Sequence, residues 1–178
     1  MKKQIDIYEQ MNHIHKMLKK GILITAQKDG QVNPMTISWG QIGIEWNRLI
    51  FTTYVRTGRY THKLIEETGE FTVNIPMAGN VGKILGFCGS KSGRDVDKVK
   101  ELGLTLEEGR QVKVPGIKEL PLTLECEVIY KQLQDFKAMP PQFMEEFYPK
   151  DVASDFHAAN KDFHTMFYGE IVGCYIIE

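Results

Sequence analysis

"GILITAQKDGQVNPMTISWG", Gly21 to Gly40, is where the chain turns from a helical to a strand period, and it sets the fold class. Ile22 to Lys28 is a β-branched run, Asp29-Gly30 is a tight-turn dipeptide, and Gln31 to Trp39 returns as a second strand. Pro34 has no N–H to give a neighbour, so the second strand is irregular there, at an edge or a bulge. Met35, Ile37 and Trp39 alternate with Thr36 and Ser38. Such a strand offers unpaired amides and a flat apolar wall to an aromatic ring system. The plain alternative is a half-buried strand obeying its period of two.

Upstream, Ile5, Tyr8, Met11, Ile14 and Leu18 fall at helical spacing before Gly21, which predicts a helix over residues 5–20. Downstream, strands are expected at Arg48–Tyr54, Glu70–Ile75, Leu122–Lys131 and His164–Ile177, with short helices at Ala78–Leu85 and Asp95–Leu102. Residues 132–163 are rich in proline, aromatics and charge, with room for one helix. Many strands joined by hairpins and a few short helices predict a mainly β chain, one closed or nearly closed antiparallel barrel with peripheral helices. No repeat or linker divides the 178 residues, so a single domain over 1–178 is expected.

Composition narrows the function classes. The chain is 42% hydrophobic and 25% charged with a net charge of −1, so no global field favours nucleic acid or an anionic membrane. Any anion site must be local. Cys88, Cys126 and Cys174 are odd in number and far apart, which fits neither a disulfide framework nor zinc and suits a reducing cytoplasm. His13 and His15 lie on different helix faces, so no metal is expected there. MKKQIDIYEQ lacks the apolar run of a signal peptide, and no segment reaches the ~20 apolar residues of a membrane span.

"VRTGRYTHKLIEETG", Val55 to Gly69, joins a strand to a helix, with Thr61 as the expected N-cap and Gly69 as C′. Arg56, Thr57, Arg59 and Thr61 would surround the helix start with donors suited to phosphate. A second loop, GSKSGRD from Gly89 to Asp95, sets Ser90, Lys91, Ser92 and Arg94 around Gly93, again ahead of an expected helix. Two such loops in one near-neutral barrel raise the case for a phosphorylated ligand; either alone is weak evidence and reads as a solvated turn. GxSxG, HExxH, Walker and GxGxxG signatures are absent. His164 reads as a structural histidine or a general acid–base, and Cys88 as a packing residue or a redox thiol.

NPMTISWG, VRTGRYTHKLI, EFTVNIP, CGSKSGRDVDK and HTMFYGEIVG occur in this order, and together they resemble the flavin reductase-like family of FMN-binding split barrels, its flavoredoxin branch most of all. The resemblance runs from about Gly21 to the C-terminus. It implies a Greek-key split barrel, a homodimer, and FMN near the subunit interface. It places the ring along Asn33, Met35, Thr36, Ile37, Ser38 and Trp39, and the phosphate and ribityl end at Arg56, Thr57, Arg59 and Thr61. Ser90, Lys91 and Ser92 would close over the cofactor, and Phe167 would touch the ring from either subunit. The implied activity is oxidoreduction, with NAD(P)H stacking over the flavin and electrons passing to a small molecule or a protein. The alternatives are a non-enzymatic FMN electron carrier, a split barrel holding another cofactor such as haem, and a structural interaction module.

Overall fold

Two residues, Ser38 and Trp39, separate the two edge strands of the main sheet. The computed structural model describes residues 1–153 and 159–178. The strands are β1 (Lys2–Gln4), β2 (Ile22–Lys28), β3 (Gln31–Ile37), β4 (Gly40–Glu45), β5 (Arg48–Arg56), β6 (Glu70–Ile75), β7 (Leu106–Glu107), β8 (Gly116–Ile117), β9 (Leu122–Leu133) and β10 (His164–Ile177). The helices are α1 (Met11–Lys20), α2 (Tyr60–Thr68), α3 (Gly82–Ser90), α4 (Lys98–Leu102) and α5 (Pro141–Phe147). The main antiparallel sheet runs β3-β2-β6-β9-β10-β5-β4, with β1 added beside β10; β7 and β8 pair separately.

Across the short Ser38–Trp39 link, the ends of β3 and β4 lie at most ~11 Å apart, at 3.8 Å per Cα step. The sheet therefore has to curl until its edges meet, without hydrogen-bonding across the join. This is the expected Greek-key split barrel. The interior is filled by alternate residues of the strands: Ile22 and Ile24, Phe51 and Val55, Phe71 and Val73, Leu122 and Leu124, and Phe167. Leu23 faces the other way, beneath α3 and α4 with Cys88, Leu104 and Ile117, so β2 is apolar on both faces. Gly169 lets β10 cross the barrel wall, since a Cβ there would lie 2.5 Å from the Phe71 ring.

Asp29 and Gly30 turn with φ 50° and 81°, as the hairpin reading requires. Pro34 lies in β3, and β3 is an edge. Other boundaries differ from the sequence reading. The N-terminal helix starts at Met11, because Asp6 caps a 3-10 turn over Ile7–Gln10 and Lys2–Gln4 joins the sheet. The Ala78–Leu85 helix is displaced to Gly82–Ser90: Gly79 takes φ 82° and the Asn80 side chain accepts from the Gly82 N–H. The Asp95–Leu102 helix starts at Lys98, where Asp97 accepts from the Lys100 N–H. β4 was not expected. Among the described residues, no helix is long and apolar enough to cross a membrane.

Candidate functional site

The segment joining β5 to α2 divides its donors between two tasks. Arg56 donates to the carbonyls of Asp162 and of Phe147 (3.1 Å), with its guanidinium 5.0 Å over the Tyr148 ring. Thr57 Oγ1 and the Gly58 N–H donate to the Asp162 carboxylate. Burial alone would raise that carboxyl, but these two donors, its own backbone N–H and the Arg56 charge together hold it below the usual range. Half of the expected anion site thus already holds an internal anion. The N-cap of α2 is Arg59, not Thr61, and no side chain caps it. Thr61 lies in the first turn, buried, and its hydroxyl accepts from Asn33 Nδ2 at 2.8 Å. Gly69 closes the helix at φ 70°, as expected. Among the described residues, the Arg59 side chain has no hydrogen bond or ion pair.

The second loop follows the C-terminus of α3 and does not lead directly into a helix. Ser90 is the last residue of α3, and its hydroxyl donates back to Gly86 O at 2.8 Å. Gly93 presses on β3: a Cβ there would lie 2.0 Å from Asn33 Oδ1. Lys98, a residue the sequence reading did not single out, is buried at 3% exposure and donates to Pro34 O (2.8 Å) and Cys88 O (3.2 Å). Burial pushes its ammonium down to about 8. Because Lys98 takes the Pro34 carbonyl from outside the sheet, that peptide faces away from β2. Strand alternation gives Thr36 the same outward sense and leaves its backbone groups open.

Three depressions run in line along this edge. The first, about 140 Å³, is lined by Asn33, Arg59, Thr61, Lys91, Ser92 and Lys98 among others. Met35 and Arg59 also border the second, about 180 Å³, which adds Thr36, Ile37, Ser38, Trp39, Tyr54, Arg56 and His164. Ser38, Trp39 and Tyr54 lead on into the third, about 910 Å³, beneath Asn12, His15, Lys16 and Lys19 of α1. The cleft is cationic at its narrow end and aromatic in the middle. Among the described residues, Asn33 Oδ1 is buried beside it without a hydrogen-bond partner.

Most of the expected residues meet here. Met35 and Ile37, however, pack their side chains into the barrel core at 7% and 6% exposure. The apolar wall is therefore supplied by Trp39, while β3 contributes its peptide edge. Thr57 faces Asp162, Ser90 faces its own helix, and Phe167 is wholly buried, its ring centroid 5.2 Å from that of His62; none of the three lines these depressions. The Trp39 ring lies 5.1 Å from His164 and 5.5 Å from Phe147. Burial, then Arg56, pushes His164 down to about 4, so the imidazole is neutral near pH 7. Tyr148 OH donates to Gln134 Oε1 (2.9 Å) and therefore accepts from His164 Nδ1–H (2.8 Å), leaving Nε2 as an acceptor. Cys88 is buried, with its thiol pushed up to about 11 by that burial, as befits a packing residue.

These features define an antiparallel split-barrel protein with a graded cleft along one open strand edge. The chain belongs to the flavin reductase like domain family, which it matches over residues 15–178. It is similar to flavoredoxin from Methanosarcina acetivorans, at 28% identity and a TM-score of 0.64 over 89% of this chain and 68% of that one. Flavoredoxin of Desulfovibrio vulgaris (Miyazaki F) shares the fold at 23% identity and a TM-score of 0.65, over 89% and 69% of the two chains. An uncharacterized curated relative from Archaeoglobus fulgidus is 38% identical over 97 residues, 54% of either chain. The aligned part thus spans about half the length of that relative.

Proposed function

We propose that the cleft binds FMN, with its ring beside Thr36–Trp39 and its phosphate at Arg59, Lys91 and Ser92. The observation that carries this reading is the single trough in which Arg59, without a side-chain partner among the described residues, stands at the junction of a cationic pocket and an aromatic one. The donor set fits the group. Arg59, Lys91 and Lys98 match a phosphate, and the open β3 edge matches the polar rim of the ring. Family membership supports the same reading.

Bound FMN supplies hydride acceptance and one- or two-electron transfer. The chain's own residues do the rest. Trp39 shields one side of the ring site from water, and His164 offers a neutral acceptor held in place by Tyr148. The wide third depression gives a planar reductant room next to Trp39, and we assign NAD(P)H to it. We therefore read the protein as an FMN-dependent oxidoreductase. Similarity to a flavoredoxin keeps an electron carrier as the second reading. Anaerobic mixing of the holo-protein with NADH and NADPH separates them: flavin bleaching is expected for the oxidoreductase, and none for the carrier.

Homodimerisation is part of the same proposal. On the outer sheet face, Trp46, Tyr130 and Tyr168 form a contiguous aromatic ladder with centroids 6.1 and 5.2 Å apart. Ile44 and Leu133 are exposed as well. Trp46 is held at φ 51° at the β4–β5 turn, a conformation unfavourable for a bulky side chain, so the turn is kept at some cost.

A further inference from the structure

Helix α1 presents two different stripes outside the core. Ile14 and Leu18 anchor it in the barrel interior. Asn12, His15, Lys16 and Lys19, at spacings of three and four, run along the opposite face and overhang the widest depression of the cleft, about 910 Å³. His13, Met17 and Lys20 form a flanking stripe that borders a different depression, about 430 Å³, against Pro76 and Leu85. Met11–Lys20 contains no Asp or Glu, and none of the ion pairs among the described residues involves it. The lining of the wide depression is completed from the sheet side by Trp39, Gln41, Tyr54 and Gln134 with their neighbours, and among the described residues it holds no carboxylate.

We propose that Lys16 and Lys19 make the reductant site selective for NADPH over NADH. The inference rests on the flavin and nicotinamide readings above and deepens them. The dihydronicotinamide gives its hydride to the flavin ring, so it has to lie at the Trp39 end, where this depression meets the ring site. The adenosine half then extends beneath α1. The two reductants differ only in that half: NADPH carries a phosphate monoester on the ribose where NADH has a hydroxyl. A site for the bare ribose diol is built with a carboxylate that accepts from its hydroxyls, and a site for the phosphate with a cation. This lining has cations and, among the described residues, no carboxylate. Lys16 and Lys19 stand one helical turn apart, so both ammonium groups can close on one phosphate as charge-assisted donors. Balancing the helix dipole would account for Lys19 and Lys20 in the last turn, but not for the missing carboxylate.

Calorimetric titrations of NADP⁺ and NAD⁺ into the FMN-loaded full chain test this, for the wild type, the Lys16→Ala/Lys19→Ala double variant and Lys20→Ala. The wild type is expected to bind NADP⁺ at least ~10-fold more tightly than NAD⁺, about the factor that one charge-assisted hydrogen bond contributes. The double variant should bring the ratio to within ~3-fold of unity, chiefly by losing NADP⁺ affinity. Lys20→Ala removes the same charge from the flanking stripe and should leave the ratio unchanged. All three lysines are exposed, so the variants should fold. Anaerobic bleaching of the flavin should follow the same order, with NADPH ahead of NADH in the wild type and the two level in the double variant. Equal affinities in the wild type, an unchanged ratio in the double variant, or the same loss in Lys20→Ala would overturn the proposal. A chain that takes up FMN but binds neither nucleotide loses the reductant site, and this proposal with it, while the flavin reading stands. A chain that takes up no FMN loses the flavin reading itself.

Discussion

Arg56 and Arg59 stand three positions apart and do opposite things. Arg56 is spent on the Asp162 and Phe147 carbonyls and the Tyr148 ring, whereas Arg59, at the junction of two pockets, has no side-chain partner among the described residues. A hydrogen bond to a charged group contributes ~1.5–3 kcal/mol, so Arg59→Ala should weaken FMN binding roughly 10- to 150-fold. Riboflavin has no phosphate, and its affinity should barely change; equal losses for both ligands would assign Arg59 to the fold or the ring. Added salt should weaken FMN binding to the wild type. His164 carries a second prediction. Its folded pKa, pushed down to about 4 by burial and Arg56, lies below the ordinary 6.5. Between those values the unfolded chain binds the extra proton, so stability is full above pH 6.5 and falls as the pH drops toward 4. Of that acid loss, on the order of 2–3 kcal/mol should vanish in His164→Gln, as read by denaturant unfolding at pH 7 and 4.5. An identical acid slope in the variant would remove His164 as its source.

At the scale of elements, local chemistry was legible and long-range pairing was not. Asp29-Gly30, Gly69 and Pro34 each announce a backbone requirement that neighbouring residues cannot alter, and each sits where that requirement says. Strand β4 was missed because GQIGIE has two glycines and little burial, the composition of an exposed edge. The α3 boundary was missed because Asn80 and Gly79 form a turn inside what reads as an apolar helix start. The site was half legible. Two donor-rich loops could be read as an anion cleft, but nothing in VRTGRY says that Thr57 meets Asp162, 105 positions away. Nor does DVDK say that Lys98 reaches Pro34, 64 positions away. The seating of the second loop on β3 gives a test at this scale. Gly93→Ala would drive a Cβ to 2.0 Å from Asn33 Oδ1, whereas a Cβ at Gly43 meets nothing within 4 Å. Thermal unfolding should show a loss of ~1–3 kcal/mol for the first and little for the second. Equal stability of the two variants would mean that the loop is free to lift.

For the whole molecule, the aromatic ladder of Trp46, Tyr130 and Tyr168 leaves Trp46 and Tyr130 exposed on the outer sheet face, and a dimer would cover them. Light scattering should give twice the 20.4 kDa chain mass, and Trp46→Glu should shift the population to the single chain. A wild-type monomer at micromolar concentration would contradict the dimer. Barrel closure through Ser38–Trp39 brings the open β3 edge, Arg59 and the exposed indole into one trough, and FMN binding in this trough is what the ligand-binding predictions rest on. The most direct measurement is equilibrium titration of FMN into the flavin-stripped chain, followed by flavin fluorescence and visible absorbance. Saturable binding at one FMN per chain, with a shifted visible band, is the expected result. Failure of FMN to bind saturably, together with no flavin released on denaturing the protein as purified, would contradict it.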